Sequence, residues 1–129
     1  MKITKFEDLN VWKKSMLLNK KMYKITDEKV FFKDFGLRDQ IRRASVSISS
    51  NIVEGFERDN NNEFIRFLKI AKGSCGEVRS QIYVAFSVGY IQEEIFKDLK
   101  NEFLELSKQI GGFIKYLEGQ RKIGNFLAR

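Results

Sequence analysis

Apolar residues recur along this chain at spacings of three and four, the period of an α-helix, and nowhere in the alternation of a strand. Between Phe6 and Thr26, Leu9, Trp12, Met16 and Tyr23 form one helical row and Val11, Leu18, Met22 and Ile25 a second. Lys13, Lys14, Lys20, Lys21 and Lys24 take the remaining side. Residues 27–34 break the pattern and predict a loop, whose adjacent Phe31 and Phe32 are expected to fold back over the end of the helices. Past Gly36, Leu37, Ile41, Ala44, Ser45, Ile48, Ile52 and Gly55 share one side of a second helix. Val46 and Val53 make a narrower patch beside it, next to Arg42 and Ser49, so this helix is expected to have close neighbours on more than one side.

The turn Asp59-Asn60-Asn61-Asn62 ends that helix, and Asn60 followed by Glu63 predicts a capped start for the next. Phe64, Phe67, Leu68, Ala71, Ser74, Cys75, Val78, Ile82, Ala85 and Phe86 then continue at helical spacing. Gly73 and Gly76 lie inside this pattern, where glycine costs roughly 1 kcal/mol against alanine. They therefore predict a close backbone approach, from the serine face of the second helix. Gln92, Glu93 and Glu94 suit the positive end of a helix dipole, and Ile95, Leu99, Phe103, Leu106, Ile110, Phe113 and Leu117 form the most regular stripe in the chain. Together these predict helices near residues 7–26, 36–58, 61–88 and 93–118. Four such helices with short connections make an all-α, antiparallel up-down-up-down four-helix bundle over residues 1–118, followed by a basic tail over 119–129.

Composition agrees with one folded helical domain: 129 residues, 43% hydrophobic and 32% charged, without a proline to break the helices. The single cysteine, Cys75, cannot form an internal disulfide, and the first residues lack the apolar run of a signal peptide, which leads us to expect a cytoplasmic protein. No stretch offers the roughly 18 uncharged apolar residues that a membrane span requires.

The net charge is +7, and its distribution matters more than its sum. Residues 1–35 carry nine lysines against five acids, the tail has Arg121, Lys122 and Arg129 with no acid, and the last long helix is slightly acidic. A nucleic-acid partner, RNA or DNA, fits that pattern, with Lys13, Lys14, Lys20, Lys21, Lys24, Arg43, Arg121 and Lys122 as candidate phosphate contacts. A solvated lysine-rich surface that binds nothing fits the same modest excess. Trp12 could stack on a base, but an aromatic inside a regular stripe reads first as core. Arg42 and Arg43 point about 100° apart on a helix, so one could bind phosphate while the other pairs with Glu54, Glu63 or Glu77.

Catalytic chemistry is not supported. The chain has no histidine, so Cys75 lacks the usual base and a di-iron site of the Glu-x-x-His kind cannot form. Gly73-Ser74-Cys75-Gly76 follows no strand and is no phosphate loop. The reading is of a non-enzyme without cofactor or metal.

Several ordered motifs carry a resemblance. Phe6-Glu7-Asp8-Leu9-Asn10-Val11-Trp12, Phe35-Gly36-Leu37 with Gln40-Ile41-Arg42-Arg43-Ala44, Ser47-Ile48-Ser49-Ser50-Asn51-Ile52-Val53-Glu54-Gly55, Glu63-Phe64 with Phe67-Leu68, Ala71-Lys72-Gly73-Ser74, and Gly89-Tyr90 are similar to those of 23S rRNA intervening-sequence proteins. That pattern has prolines where this chain has Lys33 and Ser49. The resemblance implies a cytoplasmic bacterial homopentamer of four-helix bundles arranged as a barrel, and no firm activity. The related retroelement accessory proteins imply a basic pentamer that binds nucleic acid and a reverse transcriptase. On this view Val46, Val53 and Arg42 are the candidate oligomer interface. Two functions follow as expectations, a nucleic-acid-binding oligomer and a scaffold for a protein partner.

Overall fold

The computed structural model of the protein describes residues 3–122, and the side chains of residues 3–120 among them. A single 3-10 turn, Phe6–Asp8, precedes five α-helices: α1 (Asn10–Thr26), α2 (Lys29–Lys33), α3 (Phe35–Glu57), α4 (Asn61–Ser87) and α5 (Glu93–Lys122). No strand occurs among the described residues. The architecture is an all-α bundle in which α3 packs between α1 and α4, α4 packs against α5, and α1 and α5 touch more lightly.

Side chains fasten the helix starts. Asp34 Oδ1 accepts the Leu37 amide at 3.1 Å and opens α3, and Asn60 Oδ1 accepts the Glu63 amide at 3.0 Å and opens α4. Asp34 has a second role, because its other oxygen accepts the Tyr90 hydroxyl at 2.9 Å and so joins the start of α3 to the α4–α5 loop. The turns use left-handed backbone at Asp59 (φ 54) before α4 and at Gly89 (φ 84) after it.

The core is built from Leu18 and Met22 of α1, Ile41, Ile48 and Ile52 of α3, Phe64, Leu68 and Ile82 of α4, and Phe103 and Leu106 of α5. The expected stripes need rotating at two places. On α1 the row through Val11, Leu18 and Met22 is the buried one, whereas Met16 and Tyr23 of the other row stand out in solvent. On α5 the stripe begins at Phe96, stacked on Phe86 at 4.4 Å, and Ile95 is exposed. The segment expected as a loop holds the five-residue helix α2. Adjacent residues on a helix diverge, so Phe31 enters the core against Tyr90 while Phe32 stays outside against Phe35 and Arg38. At the other end, α5 runs through Gly119 to Lys122, past the boundary expected at 118.

The close approach expected of Gly73 and Gly76 occurs instead at Gly55. A Cβ there would sit 2.7 Å from Phe67 Cβ and 3.3 Å from Phe64 Cα, so only hydrogen fits between α3 and α4. Gly73 meets nothing within 4 Å, and Gly76 meets only the Arg79 Nη2 atom at 3.7 Å. The serine face of α3 does reach α4, through Ser47 Oγ and Ser74 Oγ, 3.0 Å apart.

Candidate functional site

The five candidate lysines of α1 fall into two sets. Lys13, Lys20 and Lys24 recur at intervals of seven and four, which keeps them in one exposed row, and none has an ion pair within 4.0 Å among the described residues. Lys14 and Lys21 lie one helical step round, facing α5, where both meet Glu102, at 3.5 Å and 2.6 Å. Exposed pairs of this kind stabilise by only about 0–1 kcal/mol, but they cancel positive charge locally. The accessible charge of α1 is therefore the Lys13, Lys20 and Lys24 row, with Leu17, 60% exposed, beside it.

Arg42 and Arg43 diverge as their adjacency requires. Arg42 turns inward: its Nε donates to Thr26 Oγ1 at 2.7 Å, its Nη2 donates to the Tyr23 carbonyl at 3.4 Å, and its guanidinium lies 4.5 Å from the centre of the Tyr23 ring. Thr26 Oγ1 in turn donates to the Met22 carbonyl at 2.6 Å. Arg42 thus closes the C-terminal end of α1, where a cation suits the helix dipole. Two of the three carboxylates expected to hold one of these arginines are taken by others: Glu54 meets Arg58 at 3.0 Å, and Glu63 meets Arg66 at 3.2 Å and Arg58 at 3.7 Å, while among the described residues Glu77 pairs with neither Arg42 nor Arg43. Arg43 points outward with no ion pair, into a shallow depression lined by Tyr23, Asp39, Arg42 and Val46. The hydrogen bond from Arg38 to Asp39, 2.8 Å, holds that carboxyl below the usual carboxylate range, and the charges of Arg38, Arg43 and Arg42 act in the same direction. Asp39 is thus a stable anion that offsets part of Arg43.

Val46 and Val53, the candidate interface residues, are half-buried on the outer side of α3. The serines around them serve the inside of the bundle. Ser45 Oγ donates to Asn19 Oδ1 at 2.7 Å, Asn19 Nδ2 donates to Ser49 Oγ at 3.0 Å, and Ser49 Oγ donates to the Val46 carbonyl at 2.9 Å. This buried chain of hydrogen bonds ties α3 to α1, and Asn19, its centre, is a residue that sequence patterning passes over.

Cys75 is fully buried, and burial pushes its thiol up to about 12, the opposite of a reactive cysteine. Trp12 packs edge-on against Phe6 at 5.2 Å and leans on the core, as its place in the stripe suggests. No cluster of carboxylates and sulfur that could hold a metal is present among the described residues. Arg121 and Lys122 fall on the last turn of α5, with side chains outside the described set. A pattern centred on α1 misses Lys72, Lys108 and Lys115, which stand in solvent on α4 and α5. No described helix is long and apolar enough to cross a membrane.

Residues 7–112 match the family described as 23S rRNA-intervening sequence protein. Among solved structures, the chain is similar to a protein of unknown function from the S23 ribosomal protein family of Bacteroides thetaiotaomicron VPI-5482. The two are 25% identical with a TM-score of 0.76, over 81% of this chain and 95% of that one. A comparison with curated proteins gives no match.

Proposed function

The chain belongs to the 23S rRNA-intervening sequence protein family, and on that premise we propose that it is a non-enzymatic oligomer that holds RNA or DNA against a basic surface. The observation that carries this reading is the exposed row of Lys13, Lys20 and Lys24 on α1, without ion pairs among the described residues, to which α3 adds the exposed Arg43. Three unpaired cations set along one helix face about Leu17 present the repeated positive charge that a phosphate backbone meets. In this reading the bundle is up-down-up-down, works in the cytoplasm without cofactor or metal, and assembles as a barrel-like homopentamer through Val46 and Val53. Several copies multiply the +7 of each chain into a field strong enough to steer a polyanion.

Mobility shift of labelled RNA and duplex DNA at low salt tests the reading. Retardation of at least one polymer is expected, with loss of about two units of salt slope when Lys13, Lys20 and Lys24 are changed together to alanine. Absence of retardation for both polymers at low salt overturns it. The interface is tested separately by light scattering: Val46→Glu should leave a helical monomer, and a variant of unchanged mass removes that patch from the assembly.

One observation favours a second reading, a scaffold for a protein partner such as a reverse transcriptase. Val30, Phe35 and Val88 are each more than half exposed, and the contact of Phe31 with Tyr90 brings the segment of the first two next to the loop after Val88. A defined protein partner that stays bound after nuclease treatment would favour this reading over the first.

A further inference from the structure

Contacts between α4 and α5 fix how the two helices face each other along their outer seam. The Lys72 Cε atom lies 3.3 Å from where a Cβ on Gly111 would stand, Lys69 Nζ meets Glu118 Oε2 at 3.8 Å, and Lys100 Nζ lies 5.7 Å from the centre of the Tyr83 ring. Residue numbers fall along α4 as they rise along α5. In that register Arg79, Lys108, Lys72 and Lys115 follow one another from wall to wall, one cation about every 5 Å at 1.5 Å rise per residue. None of the four has an ion pair within 4.0 Å among the described residues. Arg79 Nε is in addition a buried donor with no hydrogen-bond partner there.

Two glycines line the seam, Gly76, which meets only Arg79, and Gly111, which meets only the stem of Lys72. Gly73 and Gly112 lie about 100° round their helices from Lys72 and Gly111, on the outer faces beside it, and meet nothing within 4 Å. Glycine inside a helix costs about 1 kcal/mol against alanine, and at Gly111 its absent side chain leaves room for the Lys72 stem to cross the seam. Acids do not cancel the seam. Glu118 is engaged by Lys69, Glu77 lies about 140° round α4 from Lys72, and Glu105 lies about 60° round α5 from Lys108 without pairing with it.

We propose that the α4–α5 seam is a second binding surface, a track for the sugar-phosphate backbone of a nucleic-acid strand, with Lys72, Lys108 and Lys115 as phosphate contacts and the open glycine Gly112 between the last two. Flexible, unpaired lysines on both walls match an anion repeated along a chain, and a single-sign groove concentrates the positive potential. The site rests on the nucleic-acid reading above and lies on helices that the α1 row does not touch.

Binding of a labelled, mixed-sequence single-stranded RNA of about 16 nucleotides, followed by anisotropy across a salt series, tests it. The full-length protein is compared with Lys72→Ala/Lys108→Ala/Lys115→Ala, with Gly112→Glu, and with Lys13→Ala/Lys20→Ala/Lys24→Ala. The seam triple variant should bind at least about tenfold more weakly at low salt and lose about two units of salt slope. Gly112→Glu places an acid in open space, leaves the lysines intact and should weaken binding in the same direction, which separates charge from folding. Wild-type affinity and slope in both seam variants overturn the proposal. If the α1 variant alone loses binding, the seam is removed and the functional reading stands, whereas a parent protein that fails to bind removes both.

Discussion

At the α3–α4 seam a Cβ on Gly55 would meet Phe67 at 2.7 Å, whereas beside the α4–α5 seam, on the outer faces of those helices, Gly73 and Gly112 meet nothing within 4 Å. Both seams put small residues at helical intervals, and the two uses are opposite. At the first, the absent side chain lets two helices close on each other, with Ser47 and Ser74 joined across the same contact. At the second, Lys72 lies over Gly111, and Gly73 and Gly112 beside it stay open. A glycine inside a helix therefore marks a close approach only when a neighbour is there to make it.

The largest effect that could break this contrast is at Gly55. Gly55→Ala should lower stability by about 2–3 kcal/mol, because Phe67 Cβ and the Phe64 backbone cannot both give way. Thermal unfolding followed by circular dichroism reads this as a fall in Tm of roughly 5–10 °C. A variant with the parent Tm would mean that α3 and α4 part without cost.

Next in size is Asn19→Ala, which leaves Ser45 and Ser49 without their buried partner and should cost about 1–3 kcal/mol in chemical denaturation. It sharpens the comparison by giving the α1–α3 contact a polar origin that the glycine contact lacks. A cost below a few tenths would show that water or rotation of the serines replaces the amide.

Beside the α4–α5 seam the sign reverses. Gly73→Ala and Gly112→Ala should each raise stability by about 0.5–1 kcal/mol, since the methyl group meets nothing and the unfolded chain loses freedom. Destabilisation by either would show that its position is packed.

The smallest effect concerns the end where the two seams meet. The hydrogen bond to Asp34 raises the Tyr90 pKa above its ordinary 10.0, and burial and the Asp34 charge act in the same direction. A raised folded pKa means that this contribution is fully present below pH 10.0 and is lost as pH rises through the higher folded value. The stability difference between wild type and Tyr90→Phe should accordingly be constant at neutral pH and shrink above that range. A difference that persists unchanged at high pH would show that it does not come from the hydroxyl's hydrogen bond to Asp34.

The helical period is local, so the long helices, the caps at Asp34 and Asn60 and most of the α3 and α4 core could be read from residue spacing alone. Which of two neighbouring rows turns inward depends on partners distant in sequence. Met16 and Tyr23 are as apolar as Leu18 and Met22, and only the placement of α3 and α5 decides between them. The candidate site follows the same rule. Five lysines on α1 look equivalent in sequence, yet Glu102, distant along the chain, engages Lys14 and Lys21 and leaves the other three free. One of Arg42 and Arg43 is expected on a carboxylate, and in the structure Arg42 instead donates to Thr26 and stacks on Tyr23. Lys72, Arg79, Lys108 and Lys115 come together only when α4 and α5 are laid side by side, which no local spacing encodes.

The central claim is that this bundle binds nucleic acid through unpaired cations. The affinity of the intact protein for labelled RNA, measured between about 50 and 200 mM salt, tests it most directly. The account predicts tight binding at the low end that weakens steeply and linearly in log–log form, with a slope of several units. Binding that does not change across that range, or none at the lowest salt, would contradict it.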